Sequence, residues 1–250
     1  MSGHSKWSTI KRKKAAADAK RGAIFTRLAR EITIAAREGG GDPVVNFTLR
    51  LAIDKAKASN MPKENIERSI KRGTGEDKEG AELVQTMYEG YAPNGVGLLI
   101  EVITDNRNRT VAEIRHILSK MGGNMADAGA VSWQFKRAAY FAVPAEGIDE
   151  EKIFEAAVEA GADDVITEED IEIIGPVEAY KQISDSLSAQ GFQPVESGLR
   201  MLPNTTIELA VDKTLQVMRV IEAVEDLDDV QQVFSNLQVT DEAVEQLAAA

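Results

Sequence analysis

Charge is divided unevenly along this chain of 250 residues. Residues 1–75 contain 17 Lys/Arg and 7 Asp/Glu, a net charge of +10, whereas residues 76–250 contain 12 Lys/Arg and 34 Asp/Glu, a net charge of −22. Basic residues can cluster simply for solubility. A net excess of ten positive charges instead predicts a basic surface that binds a polyanion. The acidic remainder would then repel misplaced nucleic acid.

Composition excludes several classes of protein. The chain has no cysteine, which excludes disulfides, thiolate metal sites, Fe–S clusters and a cysteine nucleophile. His4 and His116 are its only histidines, too few for a multi-histidine metal centre. No apolar run approaches the length of a bilayer span, and the basic N-terminus has no apolar signal region, so we expect a cytoplasmic protein with no membrane partner.

The basic segment has the pattern of a small helical bundle. One helix is predicted over 10–21, ending near Gly22, and a second, amphipathic helix over 23–38. A third helix surrounds 49–56, and a fourth follows Pro62 over 63–72 with Gly73 as its stop. On a helical wheel, the second helix has its apolar residues on one side and its arginines on the other. The apolar residues are Ile24, Leu28, Ile32 and Ala35, and the arginines are Arg27, Arg30 and Arg37.

The acidic part alternates strands and helices. After a linker at 73–80, strands are predicted at 83–91, 96–104 and 130–136, with a helix over 110–121 capped by Thr110 and Glu113. Residues 138–203 then follow the βαββαβ order of a ferredoxin-like plait. We expect the final helix and strand to return to the sheet that begins at residue 83. The predicted class is multidomain α+β, with a helical bundle at 1–75, an α+β domain at 81–137 plus 204–250, and the plait at 138–203.

The basic bundle is the predicted nucleic-acid-binding region. Helical bundles with basic faces bind phosphates, and no residue pattern here predicts reading of base edges. Trp7 either stacks on an exposed base or packs on the bundle. The candidate contacts are Lys6, Trp7, Lys11, Arg12, Lys13, Lys14, Lys20, Arg21, Arg27 and Arg30.

Two smaller charged clusters are candidate sites. Arg107 and Arg109 lie just before a predicted helix N-terminus, where they favour a secondary anion contact or an internal pair with Asp105. An acidic run at 222–229 favours a solvated helix end over a divalent cation site. No P-loop, HExxH, GxSxG or EF-hand pattern occurs, so the sequence predicts no catalytic residue, metal, cofactor or small-molecule substrate, and the chain is not expected to be an enzyme. No pattern indicates an oligomeric state.

Short stretches across the chain together resemble the YebC family. They are Gly3–Trp7, Lys14–Gly22, Gly39–Pro43, Asn60–Pro62, Tyr88–Tyr91, Thr104–Thr110 and Glu225–Gln231. Members are labelled probable transcriptional regulatory proteins, and a mitochondrial relative is a translational activator of cytochrome c oxidase subunit I. The resemblance implies a helical domain followed by two α+β domains and no catalytic activity.

Two functions remain open. The first is a DNA-binding regulator of transcription, which the charge division and the family label favour. The second is a ribosome-associated translation factor that binds ribosomal RNA and eases translation of difficult, proline-rich stretches. Recognition by shape and phosphates, without base reading, suits structured RNA.

Overall fold

The computed structural model describes residues 21–77, 82–168, 170–240, 242, 243 and 246. The described residues form two compact units. The bundle unit comprises 21–77, 82–131 and 216–233, and the plait unit comprises 132–168, 170–215 and the described residues from 234 onward. The prediction of three domains with the boundaries given above stays a prediction. No helix among the described residues is long and apolar enough to cross a membrane.

Three helices open the bundle unit, and their ends follow local sequence chemistry. Asn46 caps the second helix, because its side-chain oxygen accepts a hydrogen bond from Leu49 N at 3.0 Å. The same side chain donates to Ala35 O and Gly40 O, which closes the glycine-rich loop between the first two helices. The helices are α1 (Arg21–Gly39), α2 (Phe47–Ala58) and α3 (Lys63–Thr74).

Of the two predicted glycine stops, only the second can be compared with the structure, and it was wrong. The helix predicted over 10–21 lies outside the described residues except for Arg21, where α1 begins, so its end near Gly22 stays a prediction. Gly73 is buried inside α3, where a Cβ atom would lie 2.4 Å from Thr33 O, so this glycine permits close helix packing. The left-handed residue that ends α3 is Gly75, with a φ of 79°. The predicted linker therefore begins after α3 and not at residue 73.

Helix α1 is buried on two sides. One side packs into the bundle core through Leu28, Ile32, Ala35 and Ala36. Another residue of the same helix, Ile34, forms a separate buried cluster with Leu83 and Ile103. Because α1 contacts both the bundle and the strand that contains Ile103, its side opposite the bundle core is not a free surface.

A four-stranded sheet completes the bundle unit. Its strand order is β3-β1-β2-β9, so a strand near the C-terminus joins the sheet that begins at residue 84, as predicted. The predicted strand at 130–136 was wrong, since a short 3-10 turn occupies 132–134 and the following strand begins at Phe135. The elements are β1 (Val84–Tyr91), β2 (Gly97–Thr104), α4 (Arg107–Lys120), β3 (Asn124–Ala126) and β9 (Val230–Ser235), the last of which continues into the plait unit.

The plait unit has the predicted ferredoxin-like arrangement. Its four strands follow the order β5-β6-β4-β7, and each neighbouring pair is antiparallel. Phe141 on the central strand packs against Tyr180 with ring centroids 4.6 Å apart. The elements are β4 (Phe135–Pro144), α5 (Glu150–Glu159), β5 (Asp164–Thr167), β6 (Asp170–Gly175), α6 (Tyr180–Ala189) and β7 (Glu196–Pro203), followed by β8 (Ile207–Glu208), α7 (Val211–Glu225), which continues into the bundle unit, and β10 (Leu237–Gln238).

Candidate nucleic-acid interface and the Asp229 cluster

Most of the candidate nucleic-acid contacts lie outside the described residues. These are Lys6, Trp7, Lys11, Arg12, Lys13, Lys14 and Lys20, within a segment of 20 residues that contains six Lys/Arg and one Asp. Arg21 is the first residue of α1. Only Arg27 and Arg30 of the candidate set have side chains that the structure describes.

Arg27 and Arg30 are engaged inside the bundle unit. The Arg27 guanidinium donates to the carbonyl oxygen of Glu225, and that of Arg30 donates to the carbonyl oxygen of Asp228. Arg30 Nη1 also lies 3.0 Å from Asp229 Oδ1, and the Arg30 side chain is 18% exposed. The side of α1 that the helical wheel makes cationic is therefore partly buried at these two residues. Arg27 meets the carbonyl group of the last residue of α7, where a cation stabilises the helix end.

Asp229 lies at the centre of a buried polar cluster. Its Oδ2 atom accepts hydrogen bonds from Thr110 at 2.6 Å, from Arg109 at 2.7 Å and from Thr104 at 2.9 Å. The residue itself is only 2% exposed. The Asp229 cluster, defined as Asp229, Arg30, Thr104, Arg109 and Thr110, therefore joins α1, the end of β2, the first turn of α4 and the residue before β9.

Electrostatics keep the Asp229 carboxyl group ionised. Burial by itself raises the pKa of Asp229. The hydrogen bonds from Thr110, Arg109 and Thr104, together with the charge of Arg30, outweigh burial and hold that pKa below its ordinary value of 3.8. The hydrogen bond to Asp229 and the charge of that carboxylate, followed by the hydrogen bond to Asp105, raise the pKa of Arg109.

The two arginines at the start of α4 have different surroundings. Arg109 pairs with Asp105 at 2.9 Å and with Asp229, so the internal pair considered from the sequence is present and a second acidic partner was missed. Arg107 is exposed. The helix begins earlier than predicted, because Asn106 caps it by accepting from Arg109 N at 3.1 Å, and the predicted Thr110 cap was wrong.

The predicted solvation of the 222–229 run was wrong for Asp229. No local pattern predicts this burial, because the residues that bury Asp229 lie more than a hundred positions away in the chain. The described residues contain no group of three or more acidic or histidine side chains placed to hold a metal ion. With Oδ2 in three hydrogen bonds and Oδ1 3.0 Å from Arg30 Nη1, the Asp229 carboxylate anchors the elements around it.

Other cations remain on the surface of α2 and α3. Arg50 stacks 5.6 Å from the centre of the Phe47 ring, and Lys57 lies 3.8 Å from Asp54 in an exposed pair. Exposed pairs of this kind contribute little and exchange readily with other anions. Arg50 is itself partly buried, and the exposed cations of these helices are Lys55, Lys57, Lys63, Arg68 and Lys71.

The fold and this surface define a multidomain α+β protein with a helical bundle at its N-terminal end. A family model described as "TACO1/YebC protein N-terminal domain" matches residues 5–76, and one described as "TACO1/YebC second and third domain" matches residues 83–237. The chain belongs to the TACO1/YebC family.

Relatives match along the whole chain. A protein of Acidithiobacillus ferrooxidans is 53% identical over 250 residues, covering 100% of this chain and 99% of the relative. One of Geotalea uraniireducens is 48% identical over 248 residues, covering 99% and 100%. Both have the name "Probable transcriptional regulatory protein". The crystal structure of a conserved hypothetical protein from Aquifex aeolicus is 41% identical, covers 90% of this chain and 93% of its own, and superposes with a TM-score of 0.83.

Proposed function

We propose that this chain is a non-enzymatic regulator of gene expression that acts in the cytoplasm by binding duplex DNA through its first 75 residues. The observation that supports the proposal most directly is the excess of ten positive charges in this segment of an otherwise acidic chain. The names of the relatives add to it, since they describe transcriptional regulators.

The proposed phosphate contacts come from basic side chains of the first 75 residues. They are Lys6, Lys11–Lys14, Lys20 and Arg21, together with the exposed cations of α2 and α3. Arg27 and Arg30 are assigned a different role, because their guanidinium groups already bond the 225–229 segment. They anchor α1 and so support the surface that binds nucleic acid.

Ribosomal RNA is the second candidate target. The six basic residues within 1–20 occur without a pattern that predicts base reading, and binding by phosphates and shape is the usual way of recognising structured RNA. In this alternative the chain is a ribosome-associated factor that eases translation of proline-rich stretches, and the basic segment docks on the ribosome.

One set of binding measurements separates the two targets. Fluorescence anisotropy would compare the full chain on a promoter duplex, a scrambled duplex of equal length and a structured ribosomal RNA fragment, each across a range of salt concentrations. Preference for the promoter duplex supports a DNA-binding regulator. Equal binding of both duplexes with tighter binding of the RNA favours the ribosomal alternative, which sedimentation with ribosomal subunits from DNase-treated lysate would test in turn.

A matched pair of variants tests the basic segment itself. Neutralising Lys11, Arg12, Lys13 and Lys14 to Gln should weaken binding to every sequence and reduce the slope of log K against log salt by roughly 0.7 to 0.9 per lost phosphate contact. Neutralising the exposed Lys136, Lys152, Lys181 and Lys213 of the plait unit makes the same change in net charge. If both variants lose affinity equally, net charge and not the basic segment determines binding.

A further inference from the structure

Helix α5 exposes an apolar pair on the plait unit. Phe154 is 51% exposed and Val158 is 47% exposed, whereas Ile153, Ala156 and Ala157 of the same helix are buried. Residues four apart are neighbours on a helix surface, so Phe154 and Val158 form one continuous apolar strip pointing away from the core. A solvent-facing helix side normally has polar residues in these positions.

Exposed carboxylates border this strip. On a wheel of 100° per residue, Glu151 and Glu155 fall within about 100° of arc with the two apolar residues. Within the part of the chain that the structure describes, none of the four glutamates of α5 forms an ion pair. We name the set the α5 patch: Glu150, Glu151, Phe154, Glu155, Val158 and Glu159.

We propose that the α5 patch docks a cationic amphipathic segment of another protein. Such a segment places an apolar side chain against Phe154 and Val158, while its lysines or arginines pair with the bordering glutamates. The apolar strip is then buried and the carboxylates are paired by the same partner. Nucleic acid and anionic lipid would be repelled by the same glutamates. The surrounding sequence adds to that repulsion, because residues 132–215 contain 6 Lys/Arg and 17 Asp/Glu.

A second copy of this chain would fit the patch poorly through its own exposed apolar pair. The other adjacent pair of strongly exposed apolar residues in the described chain is Val44 and Val45, at 79% and 78%. That pair follows Asp42, whose carboxylate accepts from Val44 N, so it would bring another negative charge to the glutamates. This inference is independent of the nucleic-acid function proposed above.

The test uses the full chain and a synthetic amphipathic helix of leucine and lysine, labelled for fluorescence anisotropy, with oligolysine of equal charge as the second probe. The wild-type chain should bind the amphipathic peptide more tightly than oligolysine. Phe154→Ser with Val158→Ser should weaken binding of the amphipathic peptide about tenfold or more and leave oligolysine binding unchanged. Both side chains are about half exposed, so the circular dichroism spectrum should stay that of the folded protein and the urea midpoint should fall only slightly.

Charge variants complete the test. Glu151→Gln with Glu155→Gln should weaken binding of the amphipathic peptide, whereas Glu178→Gln with Glu208→Gln, two exposed glutamates of the same unit, should not. If both charge variants lose the same affinity for the amphipathic peptide, binding depends on net charge alone and the proposal is overturned. Unchanged binding of the amphipathic peptide by the serine variant would also overturn the proposal. So would self-association of the wild-type chain that depends on concentration and is abolished in the serine variant.

Discussion

The side chains of Arg30 and Asp229 lie 3.0 Å apart and join the first described helix to the residue that precedes β9. The same carboxylate accepts hydrogen bonds from residues at the end of β2 and in the first turn of α4, namely Thr104, Arg109 and Thr110. Removal of the buried carboxylate would leave Thr104, Thr110 and two arginines without this partner, and removal of one donor would weaken the compensation for burying the charge. The cluster therefore makes the packing of α1 on the sheet sensitive to single substitutions.

Asp229→Asn should destabilise the protein. The substitution removes the charge that Arg30 and Arg109 face and turns one acceptor into a donor, so we expect a loss of about 2–3 kcal/mol of unfolding free energy, measured by urea denaturation. Asp105→Asn is the matched control, because Asp105 pairs with the same Arg109 but is exposed, and it should lose far less. Similar losses in both variants would contradict the role given to burial of Asp229.

The same cluster predicts a pH dependence. Because the pKa of Asp229 is lowered from its ordinary value of 3.8, its stabilisation is complete above that value and is lost as the pH falls through the lower pKa of the folded state. The difference in unfolding free energy between wild type and Asp229→Asn should therefore be constant from pH 7 to about 5 and shrink below about 4. Denaturation series at these pH values would check it, and a difference that stays constant to pH 3 would contradict it.

Arg30 and Lys71 should respond differently to neutralisation. Arg30→Gln removes contacts to Asp228 and Asp229, so stability should fall by about 1–2 kcal/mol while the salt dependence of nucleic-acid binding is unchanged. Lys71→Gln changes an exposed residue and should leave stability unchanged while flattening the salt slope by roughly 0.7 to 0.9 if Lys71 contacts a phosphate. An equal flattening by Arg30→Gln would mean that Arg30 leaves Asp229 to bind phosphate.

Local patterns were sufficient to predict most elements of the fold. The predicted strands over 83–91 and 96–104 and the βαββαβ order of the plait are confirmed, because alternation, turn residues and helix caps are encoded within a few neighbouring positions. The predicted Thr110 cap was wrong since Asn106, four residues earlier, is an equally good capping residue.

Long-range packing could not be predicted in the same way. A helical wheel divides α1 into an apolar side and a charged side. It cannot show that other parts of the fold pack against the charged side. Ile34 packs with Ile103, and Arg27 and Arg30 bond to the segment before β9, so those arginines are partly buried. The burial of Asp229 depends on the same tertiary contacts and has no signal in its neighbouring residues.

Two glycines provide a final test of how the helices pack. Gly73→Ala places a Cβ atom 2.4 Å from Thr33 O and 2.7 Å from Ala36 Cβ, so α1 and α3 must separate. The cost of separating these helices should exceed the usual gain in helix propensity and destabilise the protein by about 1–3 kcal/mol.

Gly22→Ala is the matched substitution, because no atom lies within 4 Å of its Cβ position and the residue is inside α1. It should stabilise the protein by about 0.5–1 kcal/mol in the same urea titration. Stabilisation by Gly73→Ala would show that the two helices are not in close contact there, and destabilisation by Gly22→Ala would show that α1 does not continue through residue 22.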